Sequence, residues 1–299
     1  MSYADEVFIR NCRDILENGV WDTDRTVRPH WEDDGAPAHT VKKFGIVNRY
    51  DLSEEFPLLT LRRTYWKTAV DELLWIWQQK SNNIHDLRGH IWDQWADETG
   101  SIGKAYGYQL GVRHQYPEGE FDQVDRVLYD LKHNPASRRI LTNIYTFEDL
   151  HEMALYPCAY SMTFNVSGNT LNAILNQRSQ DMLAANNWNV VQYAVLVHMF
   201  AQVSGLQVGE LVHVIADAHI YDRHIPIIGT SPRPRRSLSS TRPSTIFTPS
   251  PATASRSRAT NTASSRGRSP SRCKEGLPWM RSLPSMPTGA SVPRAHSRS

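Results

Sequence analysis

Leu211-Val212-His213-Val214-Ile215-Ala216-Asp217-Ala218-His219-Ile220-Tyr221 has a period of two. Val212, Val214, Ala216, Ala218 and Ile220 fall on one side of an extended chain. His213, Ile215, Asp217, His219 and Tyr221 fall on the other. One face of such a strand packs, and the opposite face offers polar groups to a cavity. Tyr160, Met162, Phe164 and Val166 alternate in the same way. Ser167-Gly168-Asn169 supplies a turn, and Leu171 to Leu175 returns as a second strand. Residues 189–204 are apolar almost all round, the pattern of a helix at the centre of a domain. Residues 5–18 place Phe8, Ile9, Cys12, Ile15 and Leu16 at helical spacing, with Gly19 just past the end. Residues 65–79 carry a stripe of Trp66, Ala69, Val70, Leu73, Leu74 and Trp77, and residues 121–132 repeat it with Val124, Val127, Leu128 and Leu131. Residues 20–46 read as loop, followed by a strand pattern from Gly45 to Tyr50. Helices together with a mainly antiparallel or mixed sheet define an α+β domain.

The net charge of +2 over 299 residues hides two unlike parts. From Gly229 to Ser299 there are 12 arginines, one lysine and one glutamate, a net charge of +12, so the first 228 residues carry −10. The same segment holds only six Leu, Ile, Val or Phe residues, too few to offset the entropy of ordering it. Composition therefore divides the chain into a folded domain, 1–228, and a disordered Arg/Ser/Pro-rich tail, 229–299. Three widely spaced cysteines (Cys12, Cys158, Cys273) do not suggest a disulfide framework, and 12 histidines form no zinc pattern. The N-terminus lacks the stretches of a signal peptide, and no apolar run is long enough to span a bilayer. A cytoplasmic protein without a metal is expected.

Chemistry concentrates in a short stretch. Cys158 sits in Ala154-Leu155-Tyr156-Pro157-Cys158-Ala159, followed by Gln177-Arg178-Ser179-Gln180-Asp181 and then Asn189. A lone thiol packs as a small hydrophobe. Arg178, brought alongside by a hairpin, would instead lower its pKa and raise the thiolate fraction. Arg25, Arg138, Arg139 and Arg178 suit a phosphate if they converge, because a guanidinium binds it through paired, charge-assisted hydrogen bonds. Arg138-Arg139 is otherwise a solvated helix end. Ser179 offers one more donor. Glu72 is either an exposed helix-edge residue or a carboxylate held against Trp75, Trp92 or Trp95, with a raised pKa suited to proton transfer. The amide of Asn189 matches the edge of uracil, with His219 and Tyr221 on a neighbouring strand, and Asn189 also suits a helix N-cap. Trp92 and Trp95 serve either as core or as an apolar wall for a heteroaromatic ring such as a pterin.

Taken in order, these segments resemble thymidylate synthase over nearly all of residues 1 to about 228. They are Asp24-Arg25-Thr26; Phe56-Pro57-Leu58-Leu59-Thr60; Asp71-Glu72-Leu73-Leu74-Trp75; Ile91 to Glu98; Tyr106-Gly107; Ser137-Arg138-Arg139-Ile140; Leu155-Tyr156-Pro157-Cys158; Gln177 to Asp181; Asn189; and Asp217 to Tyr221. The resemblance implies that Cys158 attacks carbon 6 of dUMP and that 5,10-methylene-tetrahydrofolate, the co-substrate, supplies both the one-carbon unit and a hydride. It implies that Arg25, Arg178 and Ser179 bind the phosphate, joined by Arg138 and Arg139 from the partner subunit of a homodimer. Asn189 would read the uracil edge, and His219 with Tyr221 would hold the sugar hydroxyl. Glu72 would organise proton transfer, with Tyr106 near carbon 5. Trp92, Trp95, Asp181 and Trp188 would face the folate, with Asp181 close to the nucleotide as well. No metal is implied.

There are departures. Ala159 stands where many members have His, Asn186-Asn187-Trp188 stands where many carry Leu-Pro-Phe, and residues 28–44 read as a lineage-specific loop. After His224-Ile225-Pro226-Ile227 the family's further strand and closing segment are not recognisable, and a shift of reading frame near codon 228 is the simplest expectation. Two other functions remain open at this level: hydroxymethylation of dUMP, in which water replaces the hydride, and an inactive relative whose basic tail binds nucleic acid.

Overall fold

A computed structural model describes residues 1–229; residues 230–299, which hold Cys273 and nearly all of the basic segment anticipated from Gly229 onward, lie outside the described residues. The elements in chain order are α1 (Tyr3–Asn18), β1 (Val20–Trp21), β2 (Thr40–Asp51), α2 (Trp66–Trp77), α3 (Gly107–Gly111), β3 (His114–Tyr116), β4 (Gly119–Phe121), α4 (Gln123–His133), β5 (Leu141–Asn143), β6 (Ala159–Ser167), β7 (Thr170–Asp181), α5 (Asn186–Ser204), β8 (Gln207–Tyr221) and α6 (Ile225–Gly229). Six strands form one sheet in the order β1-β2-β8-β7-β6-β5, while β3 and β4 make a separate hairpin. All neighbours in the large sheet are antiparallel except β7 and β8. That parallel pair needs a crossover connection, and α5 supplies it.

Local sequence explains the elements. Ser2 accepts from the Asp5 amide while Asp5 accepts from the Ser2 amide at 3.0 Å, a capping box that starts α1. Phe8, Cys12 and Ile15 are buried as their spacing predicts, but Leu16 is exposed; Ala4, Val7 and Asn11 complete the inward face. The inward face of α2 is also rotated from the predicted stripe. Trp66 is exposed, whereas Glu72, Trp75 and Ile76 are buried beside Ala69, Leu73 and Trp77. On α5, Val190, Val191, Ala194 and Val197 are almost completely buried. The strand β2 begins at Thr40, well before the predicted Gly45. Lys42 and Lys43 mask its start in sequence; they pair with Asp217 and Asp14 instead of entering the core. The segment before it folds back through a bridge between His30 and Pro37 and is pinned by Trp31 Nε1, which donates to Asp222 at 3.1 Å.

The period-two reading of Leu211–Tyr221 holds only at its far end. Ala218 and Ile220 are buried as predicted, but the buried residues before them are Leu211, His213 and Ile215, not Val212, Val214 and Ala216. The phase inverts in the adjoining strands at the same level. In β2 burial passes from Val41 to Ile46, Asn48 and Tyr50, and in β7 from Leu171, Ala173, Leu175 and Gln177 to Gln180. Asp217 is paired there with Phe44 and Ser179, and the neighbouring Gly45 has a φ of +77°, a conformation that glycine adopts without steric cost. This shared kink turns Ser179, Asp217, His219 and Tyr221 away from the helix-covered core and into a cleft.

Candidate active site

Cys158 precedes β6, and its position follows from strand pairing. The Arg178 amide donates to the Cys158 carbonyl at 2.9 Å. The Arg178 guanidinium is held by the carbonyls of Pro157 (2.9 Å) and Tyr156 (2.8 Å), which leaves Nη2 3.7 Å from Sγ. The hairpin register thus delivers the cation beside the sulfur. The thiol pKa is nonetheless raised, not lowered as the sequence suggested. Burial pushes it up, and the opposing pull of Arg178 and Arg28 does not overcome that. In this state the sulfur rests as a thiol.

A cleft of about 340 Å³ lies beside Arg178, bordered by Arg28, Ser179, Asp217, His219 and Tyr221 among others; Cys158 itself is not among its lining residues. Asp217 bonds His219 Nδ1 at 2.9 Å and Lys42 at 3.1 Å, fixing the imidazole. The structure separates the predicted arginines. Arg25 is 79% exposed, lies 3.9 Å from Asp24 and does not border the cleft, whereas Arg28 does. Arg138 and Arg139 are exposed in the segment between α4 and β5, outside this cleft. Asp181 is not among the cleft residues either. Its carboxylate accepts from the amides of Leu183 (2.8 Å) and Ala184 (3.1 Å), bracing the turn into α5. Burial works against its ionisation, but His224, the Ala184 amide and His219 keep its pKa below the usual carboxylate range.

Glu72 is not an edge residue. Trp92 Nε1 donates to Oε1, while Trp188 Nε1 and Gln192 Nε2 donate to Oε2, all at 2.5 Å. Burial raises its pKa even against three donors. Of the tryptophans considered, Trp92 is the one bonded to it, while Trp75 donates to the Asn83 carbonyl at 2.9 Å. Tyr106 links this cluster to the sulfur. Its ring meets Trp92 edge-on at 5.0 Å, and burial raises its phenol pKa well above the ordinary value, reinforced by the nearby Cys158 and Glu72. Its φ of +47° is rare for a bulky residue. Trp92 and Trp95 are tilted by 59° at 5.3 Å, and Trp92 is buried, so the half-buried Trp95 offers the more open ring of the two.

Asn189 is not a helix N-cap: Ala185 occupies that place, and α5 begins at Asn186. The Asn189 amide accepts from Gln177 Nε2 and donates to Gln192 Oε1, each at 3.3 Å. Asn187 ties the loop before α2 to α5, accepting from the Leu59 amide at 3.0 Å and donating to the Pro57 carbonyl at 3.1 Å. Four residues around the site were given no role of their own by the sequence, Arg28, Gln177, Gln192 and His213, although Gln177 stood in a quoted segment and His213 on the polar strand face. Gln192 follows Asn189 by three, so a shared helix face was a usable signal. Arg28 precedes a proline, which favours extended backbone, but nothing in sequence says that it meets the cleft.

Arg178 stands between the Cys158 thiol and a cleft that Arg28, Ser179, His219 and Tyr221 also border, the arrangement of an enzyme that holds an anionic ligand beside a sulfur nucleophile. Comparison with known proteins agrees. The family model described as thymidylate synthase matches residues 6–243. A thymidylate synthase of Bacillus licheniformis is 47% identical over 229 residues, 75% of this chain and 82% of its own length. Thymidylate synthase 1 of Bacillus subtilis (strain 168) is 45% identical with the same coverage. The solved structure of thermostable thymidylate synthase A from Bacillus subtilis superposes with a TM-score of 0.74 at 43% identity, covering 77% of this chain and 83% of that one. The chain belongs to the thymidylate synthase family. Members are methyltransferases that convert dUMP to dTMP with 5,10-methylene-tetrahydrofolate and assemble as dimers. Among the described residues, no group of three His, Cys, Asp or Glu could hold a metal, and no helix is long and apolar enough to cross a membrane.

Proposed function

We propose that this chain performs the family reaction with Cys158 as nucleophile. The observation that carries the reading is the 3.7 Å approach of Arg178 to Sγ, on a guanidinium that also walls the cleft with Ser179, His219 and Tyr221. Arg28, Arg178 and Ser179 receive the phosphate of dUMP, with Arg28 taking the place first given to Arg25. Binding energy from the phosphate then sets the ring over the sulfur. His219, oriented by Asp217, and Tyr221 hold the sugar hydroxyl. Asn189 reads the uracil edge. As Sγ bonds carbon 6, carbon 5 gains electron density and takes up the one-carbon unit. Tyr106 stands near the carbon 5 proton, and Glu72 moves protons in the cluster it organises. The tetrahydrofolate supplies carbon and hydride and leaves as dihydrofolate. Trp95, backed by Trp92, offers a ring face for its pterin, and Trp188 and Asp181 support that wall through Glu72 and the turn into α5.

Arg138 and Arg139, exposed and outside the chain's own cleft, serve the second site of a homodimer. The uncovered sheet face, with Phe44, Val47 and Ile174 exposed, suits a self-complementary contact. Residues 1–228 form the catalytic domain and 229–299 a separate basic segment. A reducing cytoplasm suits the free thiols Cys12 and Cys158. Incubating the chain with dUMP and methylene-tetrahydrofolate tests the assignment. Stoichiometric dTMP and dihydrofolate support it, and a hydroxymethylated nucleotide without dihydrofolate overturns it.

A further inference from the structure

A buried row of amides crosses the core from β8 to α2. His213 Nε2 meets Gln177 Oε1 at 2.8 Å. Gln177 Nε2 donates to Asn189 Oδ1 at 3.3 Å and to the Ser179 carbonyl at 2.9 Å. Asn189 Nδ2 donates to Gln192 Oε1 at 3.3 Å, and Gln192 Nε2 donates to Glu72 Oε2 at 2.5 Å and to the Ala69 carbonyl at 3.0 Å. Gln177 and His213 have no part in the reaction scheme above.

The polarity of this row is fixed from both ends. The Ala69 carbonyl only accepts, so Gln192 must turn its NH₂ toward it and Glu72 and its oxygen toward Asn189. The Ser179 carbonyl only accepts, so Gln177 must turn its NH₂ toward Ser179 and Asn189 and its oxygen toward His213. His213 then has to donate from Nε2. Burial lowers its pKa to about 3, so the ring is neutral and holds a single proton for that bond. The other nitrogen, Nδ1, is left as an acceptor without a partner. The cross-strand neighbour Asn48 carries a complementary unpaired donor, Nδ2. Asn189 spends one lone pair of Oδ1 and one hydrogen of Nδ2 on the row. One acceptor and one donor remain side by side, which complements the N3–H and O4 of uracil and not the N3 and NH₂ of cytosine.

We propose that His213, acting through Gln177, is a positioning residue that locks the orientation of the Asn189 amide and so sets the preference for a uracil over a cytosine nucleotide. This rests on the reading of Asn189 as the base-edge contact. Without the imidazole N–H, Gln177 Oε1 becomes a buried acceptor with no donor. Gln177 then gains by rotating its amide, and the row loses its direction.

Affinities of the full-length chain for dUMP, dCMP and 2-deoxyribose 5-phosphate read this directly. His213→Phe should weaken dUMP roughly tenfold and leave dCMP and the sugar phosphate unchanged, narrowing the dUMP/dCMP ratio by the same factor. His213→Gln, whose amide nitrogen reaches the place of Nε2, should keep the wild-type ratio. An unchanged ratio in His213→Phe, or equal narrowing in His213→Gln, overturns the proposal. If His213→Phe also loses the sugar phosphate, its fold has failed, and Gln177→Met reads the same link: a narrowed ratio with sugar-phosphate affinity kept supports the lock, and any other result overturns it. Asn189→Val separates the two levels. No narrowing there removes the base-edge reading and the lock with it, whereas narrowing in Asn189→Val without narrowing in His213→Phe removes the lock alone.

Discussion

Replacing Glu72 by glutamine tests the buried carboxylate most sharply. The two carboxylate oxygens accept three N–H bonds, from Trp92, Trp188 and Gln192. A glutamine keeps one acceptor oxygen. With that oxygen toward Trp188 and Gln192, its NH₂ confronts the Trp92 N–H, and a buried donor loses its partner. Such a loss costs about 1–3 kcal/mol, and in a domain of this size each kcal/mol lowers Tm by roughly 2–4 °C. The pH dependence has a definite sign. The folded pKa of Glu72 is raised above its ordinary 4.5, so the folded state binds this proton more tightly than the unfolded chain. That stability is fully present below the unfolded value and is lost as pH rises through the folded one. Glutamine has no such slope, so the wild-type lead in Tm should be greatest near pH 4 to 5 and shrink toward pH 8. Turnover in Glu72→Gln should fall by about 10²–10⁴ with the loss of proton transfer, while dUMP affinity changes little. Melting curves across that pH range and dihydrofolate release measure both effects. A Tm gap that widens with pH, or turnover within a few-fold of wild type, refutes the reasoning.

Three more outcomes follow from the site. Arg28→Gln should raise the KM for dUMP by roughly tenfold or more, since it removes a charge-assisted phosphate contact, and Arg25→Gln should leave it within about twofold; the reverse ranking would restore Arg25 to the cleft. Alkylation of Cys158 by iodoacetamide should climb with pH and reach its plateau above that of an ordinary cysteine, because burial raises the thiol pKa, and Arg178→Leu should push the plateau higher still. Arg138→Ala and Cys158→Ala proteins, each inactive alone, should recover about a quarter of wild-type specific activity when unfolded and refolded together in equal amounts, because each mixed dimer keeps one intact site; no recovery would show that the arginine acts within its own subunit.

The placement of the sulfur beside Arg178 was legible because it is local, whereas its raised pKa was not, since that depends on burial by the whole fold. The β6–β7 hairpin that joins Cys158 to Arg178 is written in alternation and a Ser-Gly-Asn turn, and the register follows from that. Glu72 was legible as a residue out of place in an apolar helix, though which tryptophans hold it depends on how α2, α5 and the segment around Trp92 pack. The phase inversion was hidden. Val212 and Leu211 are equally apolar, and which of them faces the core goes with a kink shared by β2, β7 and β8, strands distant in sequence. The stretch Asp24-Arg25-Thr26 singled out Arg25 in the sequence, but the fold of residues 22–39 brings Arg28 to the cleft instead. His213 looked like one polar residue among several on a strand face, because its partner Gln177 is set by the parallel pairing of β7 and β8.

The most direct measurement is the rate of dihydrofolate release by Cys158→Ser with saturating dUMP and methylene-tetrahydrofolate. Substituting oxygen for sulfur keeps the size and the neighbours of the side chain and removes the nucleophile, so the rate should fall roughly a thousandfold or more. A rate within a few-fold of wild type would mean that no bond forms between this residue and the pyrimidine.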